Sequence, residues 1–354
     1  MNDVSIQSPS YITWEANSAM IDCDGEMAMP IVTSHSIDGT FSFCQRKFEF
    51  AHVYQQVPDY AGGGVGLAAE SGTAIHEAVQ AWATVWLDPA AEQIPDLWVA
   101  AVDAGLFALL QWWPWVTENL AAADKKLAAK QRGLDQSIRL YHTIIEHEYW
   151  KEFELAVLPD GKPAIEIPWR VVHRSIGVLH DSTGRARVLV TQGKIDFILR
   201  HKPSGMLRVV DLKTTVKMPE SLFSAFRFSG QAVGYSLVLG GALGLNWRDG
   251  MTVAYLTASF NDFAIRPITF RISAQEIEDY LMTRQDLLFG IARNLRRQWW
   301  PRRLHGCDSY ASSCHYLDIC QQRDSRFIDA WFSRDDVPFV ERPRIYQTIW
   351  DFSA

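Results

Sequence analysis

The chain has 354 residues, 48% hydrophobic and 21% charged, a globular composition with apolar material enough for one large domain or two smaller ones. No apolar run reaches the roughly 18 residues of a membrane span, and Met1-Asn2-Asp3 opens no basic and then apolar leader, so a soluble cytoplasmic protein is expected, with no membrane partner. The formal net charge of -7 excludes bulk attraction to nucleic acid, so any DNA contact must come from a local basic patch.

In chain order, residues 1–33 show weak periodicity and are expected as a weakly ordered arm, and Ser34 to Val53 reads as a short helix entering the fold. The stretch Gly62-Gly63-Gly64-Val65-Gly66 reads as a flexible loop; no Gly-Lys-Ser/Thr follows it, which argues against a nucleotide-binding loop. A helix is expected to begin at Ser71 or Thr73, with Ile75, Val79, Trp82 and Trp86 as its buried stripe and His76 in its first turn. From Leu97 to Phe153 the pattern stays helical, interrupted at Pro114, and its second part (Leu134, Ile138, Tyr141, Ile145, Tyr149) is amphipathic. This reads as a helical insertion over about residues 88–155.

Strand signals follow at 164–172, 187–201, 206–214, 251–259 and 265–272, with a helix from Pro219 to about Leu239 between the third and fourth. Ser273-Ala274-Gln275-Glu276 has the capping-box pattern and starts a helix running to about Trp299. The expected class is α/β, a mixed central sheet flanked by helices.

The chemistry concentrates on one hairpin. Gly193 to His201 is strand-like, Lys202-Pro203-Ser204-Gly205 carries Pro and Gly where a type I turn prefers them, and Met206 to Lys213 is the return strand. If His201 pairs with Met206, facing residue numbers sum to 407 and Asp196 faces Asp211. Opposed residues share a face with Cβ atoms roughly 4.5–5.5 Å apart, and like charges so placed are destabilising. Lys213 lies on the same face, two residues on. A solvated ion pair is the ordinary fate of strand charges, but this hairpin is apolar on both faces (Ile198 and Val209; Phe197, Val210 and Leu212), which reads as buried. Buried like charges need a compensating cation, and a hard divalent metal is the better explanation.

These residues resemble a known family. Gly193-Lys194-Ile195-Asp196-Phe197-Ile198 and Val209-Val210-Asp211-Leu212-Lys213-Thr214-Thr215 are similar to the second and third motifs of RecB-like PD-(D/E)xK nucleases. Gly72-Thr73-Ala74-Ile75-His76 resembles the Gly-x-x-x-His motif that precedes them. Glu166 resembles the acidic strand residue upstream of the hairpin, and Gln231 with Tyr235, on one helix face, resembles the Gln-x-x-x-Tyr motif after it. The resemblance implies a restriction-endonuclease-like nuclease domain over residues 34–322, followed by a C-terminal extension at 323–354.

Cys307, Cys314 and Cys320 lie close together, with Cys44 far upstream and Cys23 apart from any pattern. One cysteine before the core and three after it resembles the iron-sulfur staple of CRISPR-associated RecB-like exonucleases and AddB-type nucleases, and four thiolates suffice for a 4Fe-4S cluster. The six residues between Cys307 and Cys314, and Gln45 where those families often carry Pro, depart from their pattern. A Zn2+ site on the same cysteines, or buried free thiols, stays open. Just before the triplet, Arg293, Arg296, Arg297, Arg302 and Arg303 surround Trp299 and Trp300, a pattern that suits single-stranded DNA and equally a solvated helix face.

The resemblance implies phosphodiester hydrolysis with one or two Mg2+ or Mn2+ ions on Asp196 and Asp211, with His76 a further ligand and Glu166 a candidate one. Lys213 would orient the attacking water and offset developing charge, while Gln231 and Tyr235 position the site or the DNA. The implied role is processing of DNA ends or single strands in recombination or repair, exonucleolytic rather than endonucleolytic, as a homo-oligomer or beside a recombination partner protein. A DNA-binding scaffold that has lost turnover, a structure-specific endonuclease and an RNA-directed nuclease are the alternatives.

Overall fold

The computed structural model describes residues 20–23, 25–53, 57–58, 67–89, 91, 94–119, 132–218, 221, 226–227, 229–243 and 251–301, and further on 308–309, 312–313, 320 and 332–333. Its strands are β1 (Ile21–Cys23), β2 (Glu26–Thr33), β3 (Phe153–Leu155), β4 (Ile165–Val172), β5 (Leu179–His180), β6 (Ala186–His201), β7 (Leu207–Thr215), β8 (Met251–Ser259) and β9 (Ile265–Ile272). The helices are α1 (His35–Phe43), α2 (Gln45–Phe48), α3 (Leu67–Trp86), α4 (Leu97–Asn119), α5 (Leu134–Ile145), α6 (Gly230–Leu243) and α7 (Ala274–Arg297). The fold is a mixed sheet flanked by helices, as the strand and helix patterns predict. Among the described residues no helix is long and apolar enough to cross a membrane.

The chain divides into two compact units, the first holding residues 1–61, 169–193 and 281–354, the second 62–168 and 194–280. In the first, β2 lies parallel to the opening residues of β6, from Met29 opposite Arg187 to Thr33 opposite Thr191, and β1 folds back on β2. The early residues expected as a weakly ordered arm therefore include two strands. Only Ala28, Ile31 and Thr33 of β2 are buried, so small and polar residues stand where alternation would show. Leu189 of β6 packs with Ile31, Phe41, Phe48 and the α7 residues Leu288, Ile291 and Leu295. Its neighbours Val188 and Val190 pack with Ile21, Ala28 and Val172. Burial on both sides explains the unbroken apolar run of β6. The α7 contacts recur at helical spacing.

The same unit buries an ion pair: Arg187 Nε donates to Asp181 Oδ2 at 2.8 Å, with the side chains 2% and 1% exposed. Asp181 Oδ1 also accepts from the Thr183 hydroxyl at 2.6 Å and the Thr183 amide at 2.8 Å, so neither oxygen is left unsatisfied. In the C-terminal stretch, Phe332–Ser333 pair with Val57–Pro58.

In the second unit β7 runs antiparallel to the end of β6 and parallel to β8, and β9 closes antiparallel on β8. A parallel pair needs a crossover, and α6 lies in the connection between β7 and β8. The helix expected from Pro219 is described from Gly230; Pro219 itself and the loop at 62–66 lie outside the described residues. Two helix bounds differ from expectation. α3 starts at Leu67, a turn before Ser71, which moves His76 out of the first turn. α4 runs through Pro114 even though an interior proline loses its own N–H bond and crowds the carbonyl four residues back; helix continues on both sides of it.

Close packing of α3, α4 and α5 depends on one glycine. A Cβ at Gly105 would lie 2.7 Å from the Ala78 carbonyl oxygen, a backbone atom that cannot swing aside. Gly105→Val is therefore expected to lower the melting temperature by an amount corresponding to about 1–3 kcal/mol, the usual cost of overpacking, as read by thermal denaturation.

Candidate active site

The hairpin has the register its turn dictates. Phe197 faces Val210, Ile198 faces Val209, Leu199 faces Arg208 and Arg200 faces Leu207, each pair summing to 407. The loop closes through His201 N–H to Met206 O at 2.9 Å and Gly205 N–H to His201 O at 2.8 Å. Gly205 takes φ +69, the left-handed conformation that glycine adopts without steric cost. Beyond Phe197 and Val210 the ladder ends. The Leu212 N–H, which would continue it, donates to Asp196 Oδ2 at 2.9 Å instead. A side chain has replaced a ladder acceptor, and the strands part where the two carboxylates sit.

Asp211 is 1% exposed. Its Oδ1 accepts from the Tyr235 hydroxyl at 2.7 Å and lies 3.4 Å from Gln231 Nε2, which also donates to that hydroxyl. Lys213 Nζ stands 2.7 Å from Oδ2 and pairs with it. Asp196 is buried too, and its Oδ2 lies 3.4 Å from His76 Nδ1. Burial pushes both carboxyls above the usual aspartate range, with the Lys213 ammonium opposing it. Burial pulls Lys213 down, but Asp211 and Asp196 outweigh it, so the ammonium is held charged above the usual lysine value. His76 is lowered to about 4, by burial first and by Lys213 second, so its imidazole is neutral at neutral pH.

Glu166 goes elsewhere. Ile198 N–H donates to Ala164 O, which brings Glu166 level with Asp196, but its carboxylate is engaged by the Lys194 ammonium and the Gln80 amide. Among the described residues no three His, Cys, Asp or Glu side chains converge closely enough to cage a metal ion. Two buried carboxylates do fit a Mg2+ or Mn2+ ion, a hard cation that keeps several waters and takes one or two carboxylates.

A model of the PD-(D/E)XK nuclease superfamily matches residues 33–321. The chain belongs to this superfamily. No curated protein matches it. Among solved structures it is similar to a protein from Eubacterium rectale described as a candidate exonuclease, at 12% identity and a TM-score of 0.41, covering 82% of this chain and 93% of that one. It is also similar to the protein SSO0001, at 15% identity and a TM-score of 0.26, covering 61% and 81%.

Of the remaining sequence candidates of this PD-(D/E)XK protein, those that the structure describes lie in the first unit. Cys44 is buried at the break between α1 and α2, where its extended backbone (φ -156, ψ 112) interrupts the helix, and Cys320 is buried as well. Cys307 and Cys314 lie outside the described residues, as do Arg302 and Arg303. Arg293, Arg296 and Arg297 are exposed on α7, and Arg296 donates to Ile176 O. The tryptophans separate: Trp299 is 60% exposed, whereas Trp300 stacks on Phe48 in the core.

Three residues around the site were missed from sequence. Gln80 lies one turn after His76, and Lys194 two residues before Asp196, so helical and strand periodicity could have found both. Tyr255, whose ring lies 6.0 Å beneath Lys213 Nζ, faces Asp211 only through the parallel β7–β8 pairing, which no local pattern announces.

Proposed function

We propose that this protein is a divalent-cation-dependent nuclease that hydrolyses DNA at its ends. The observation that carries the reading is the burial of Asp196 and Asp211 together, with the Lys213 ammonium paired to Asp211. Charges so arranged oppose folding, and a nuclease of this superfamily has a use for them. Asp196 and Asp211 would hold Mg2+ or Mn2+, with neutral His76 as a further donor, and the bound ion supplies Lewis-acid activation and charge neutralisation.

The chain's own groups do the rest. Lys213 holds the attacking water by hydrogen bonding and offsets negative charge on the phosphate as the water oxygen bonds to phosphorus and the leaving oxygen departs. Tyr235 and Gln231 fix the Asp211 carboxylate from one helix face. Tyr235→Phe deletes the shorter of those bonds and is expected to lower activity or Mn2+ affinity about 10–100-fold, the usual cost of losing a ligand's supporting hydrogen bond, with unchanged melting.

Exonucleolytic action in recombination or repair is supported by the resemblance to RecB-like nucleases. An iron-sulfur cluster on Cys44, Cys307, Cys314 and Cys320, tying the C-terminal segment to the break between α1 and α2, is supported by the burial of Cys44 and Cys320. Stoichiometric iron in a brown preparation is the expected result; stoichiometric zinc in a colourless one would reject the cluster. The activity is tested by incubating the protein with end-labelled single- and double-stranded DNA and RNA under Mg2+, Mn2+ or EDTA. Stepwise shortening of DNA, abolished by EDTA, is expected; metal-independent cleavage or none would reject the reading.

A further inference from the structure

Beside the aspartate pair lies a charged group that the proposed chemistry does not use. Lys194 shares the Asp196 face of β6, and its ammonium pairs with the Glu166 carboxylate on β4. Asp196 and Glu77, the residue after His76 on α3, act electrostatically on the same ammonium. Gln80 donates to the second Glu166 oxygen and so fixes that carboxylate from α3. Glu166 itself takes φ +51, an uncommon conformation for a strand residue other than glycine, at a cost of about 1–3 kcal/mol. The chain thus accepts local strain where it presents Glu166 to Lys194.

The Lys194 ammonium pairs with Glu166 and feels the charges of Asp196 and Glu77, so carboxylates of three elements act on one cation. Carboxylates gathered away from water need a positive charge among them. Two-metal nucleases supply it as a second divalent ion roughly 3.5–4 Å from the first. Here a covalently attached cation on the Asp196 face of β6 engages the Glu166 carboxylate that such an ion would need, and among the described residues no three carboxylates are spaced to cage a metal. Resting on the nuclease reading, we propose that Lys194 is a built-in counter-cation filling the second cation position, so that the centre takes up one divalent ion, at Asp196 and Asp211, and not two. Lys194 is then a positioning residue for Glu166 and Asp196.

The test is a Mn2+ titration of the full chain, with free Mn2+ read by electron paramagnetic resonance. The wild type and Lys194→Arg are expected to bind one ion tightly. Lys194→Gln, and Lys194→Ala as a second variant with room for a hydrated ion, are expected to bind two, with DNA cleavage regained or altered only at higher Mn2+. Two tight ions in the wild type, or one in every folded variant, would overturn the proposal. A wild type that binds no Mn2+ would instead remove the nuclease reading beneath it.

Discussion

Asp211→Asn is expected to lower metal-dependent DNA cleavage by about 10³-fold, the scale of losing a central electrostatic group, while melting no lower than the wild type. The two effects have one origin. Burial raises the folded-state pKa of Asp211, so above its unfolded-state pKa the ionised carboxylate opposes folding. Asparagine removes that charge yet keeps an oxygen for the Tyr235 hydroxyl, now 2.7 Å from Oδ1. Lys213, a third exposed, can turn its ammonium to water when its partner is neutral. Melting curves at neutral pH check the stability half, and single-turnover cleavage checks the other. A general loss of structure would lower both together.

The second large effect has the opposite sign. Asp181→Asn, or Arg187→Leu, is expected to destabilise the protein by about 3–5 kcal/mol, because each leaves the other half of a buried pair uncompensated. Asp181 is subject to a burial penalty, but its hydrogen bonds from Thr183 and the Arg187 guanidinium outweigh it and hold the carboxyl below the usual aspartate range. A depressed folded-state pKa contributes stability that is full above the unfolded-state value and is lost as pH falls through the folded one. The gap between wild type and Asp181→Asn should therefore be constant from weakly acidic to neutral pH and close only in strong acid. Urea denaturation across that range measures it, and a gap that grows toward acid would contradict the assignment. Two buried aspartates are thus expected to respond oppositely to the same substitution: one is held by a structural partner, the other is the proposed metal ligand.

The hairpin was legible because its information is local. Alternating residues, a Pro-Ser-Gly turn and a fixed loop length set the 407 register without any distant contact. The capping box was legible for the same reason: Ser273 Oγ accepts from the Glu276 amide at 3.3 Å while the Glu276 carboxylate accepts from the Ser273 amide at 2.8 Å. What escaped depends on partners far away in sequence. β2 carries little alternation of its own and becomes a strand by pairing with residues more than 150 positions on. Glu166 reads as a candidate ligand on its strand, and only the approach of α3 and β6 shows Gln80 and Lys194 holding it. The Arg-Trp segment reads equally as a basic, aromatic patch or as a solvated face with core tryptophans, and tertiary packing divides the two, burying Trp300 and leaving Trp299 outside.

The most direct test of the central claim is single-turnover cleavage of end-labelled DNA in Mn2+ by the wild type and by Lys213→Ala. Lys213 is singled out because its ammonium, a third exposed, pairs with the buried Asp211 carboxylate at the centre of the proposed site. The account predicts cleavage by the wild type that EDTA abolishes, and a rate lower by about 10²–10³-fold in the variant at a temperature where melting curves show both proteins folded. A Lys213→Ala protein that cleaves at the wild-type rate would contradict it.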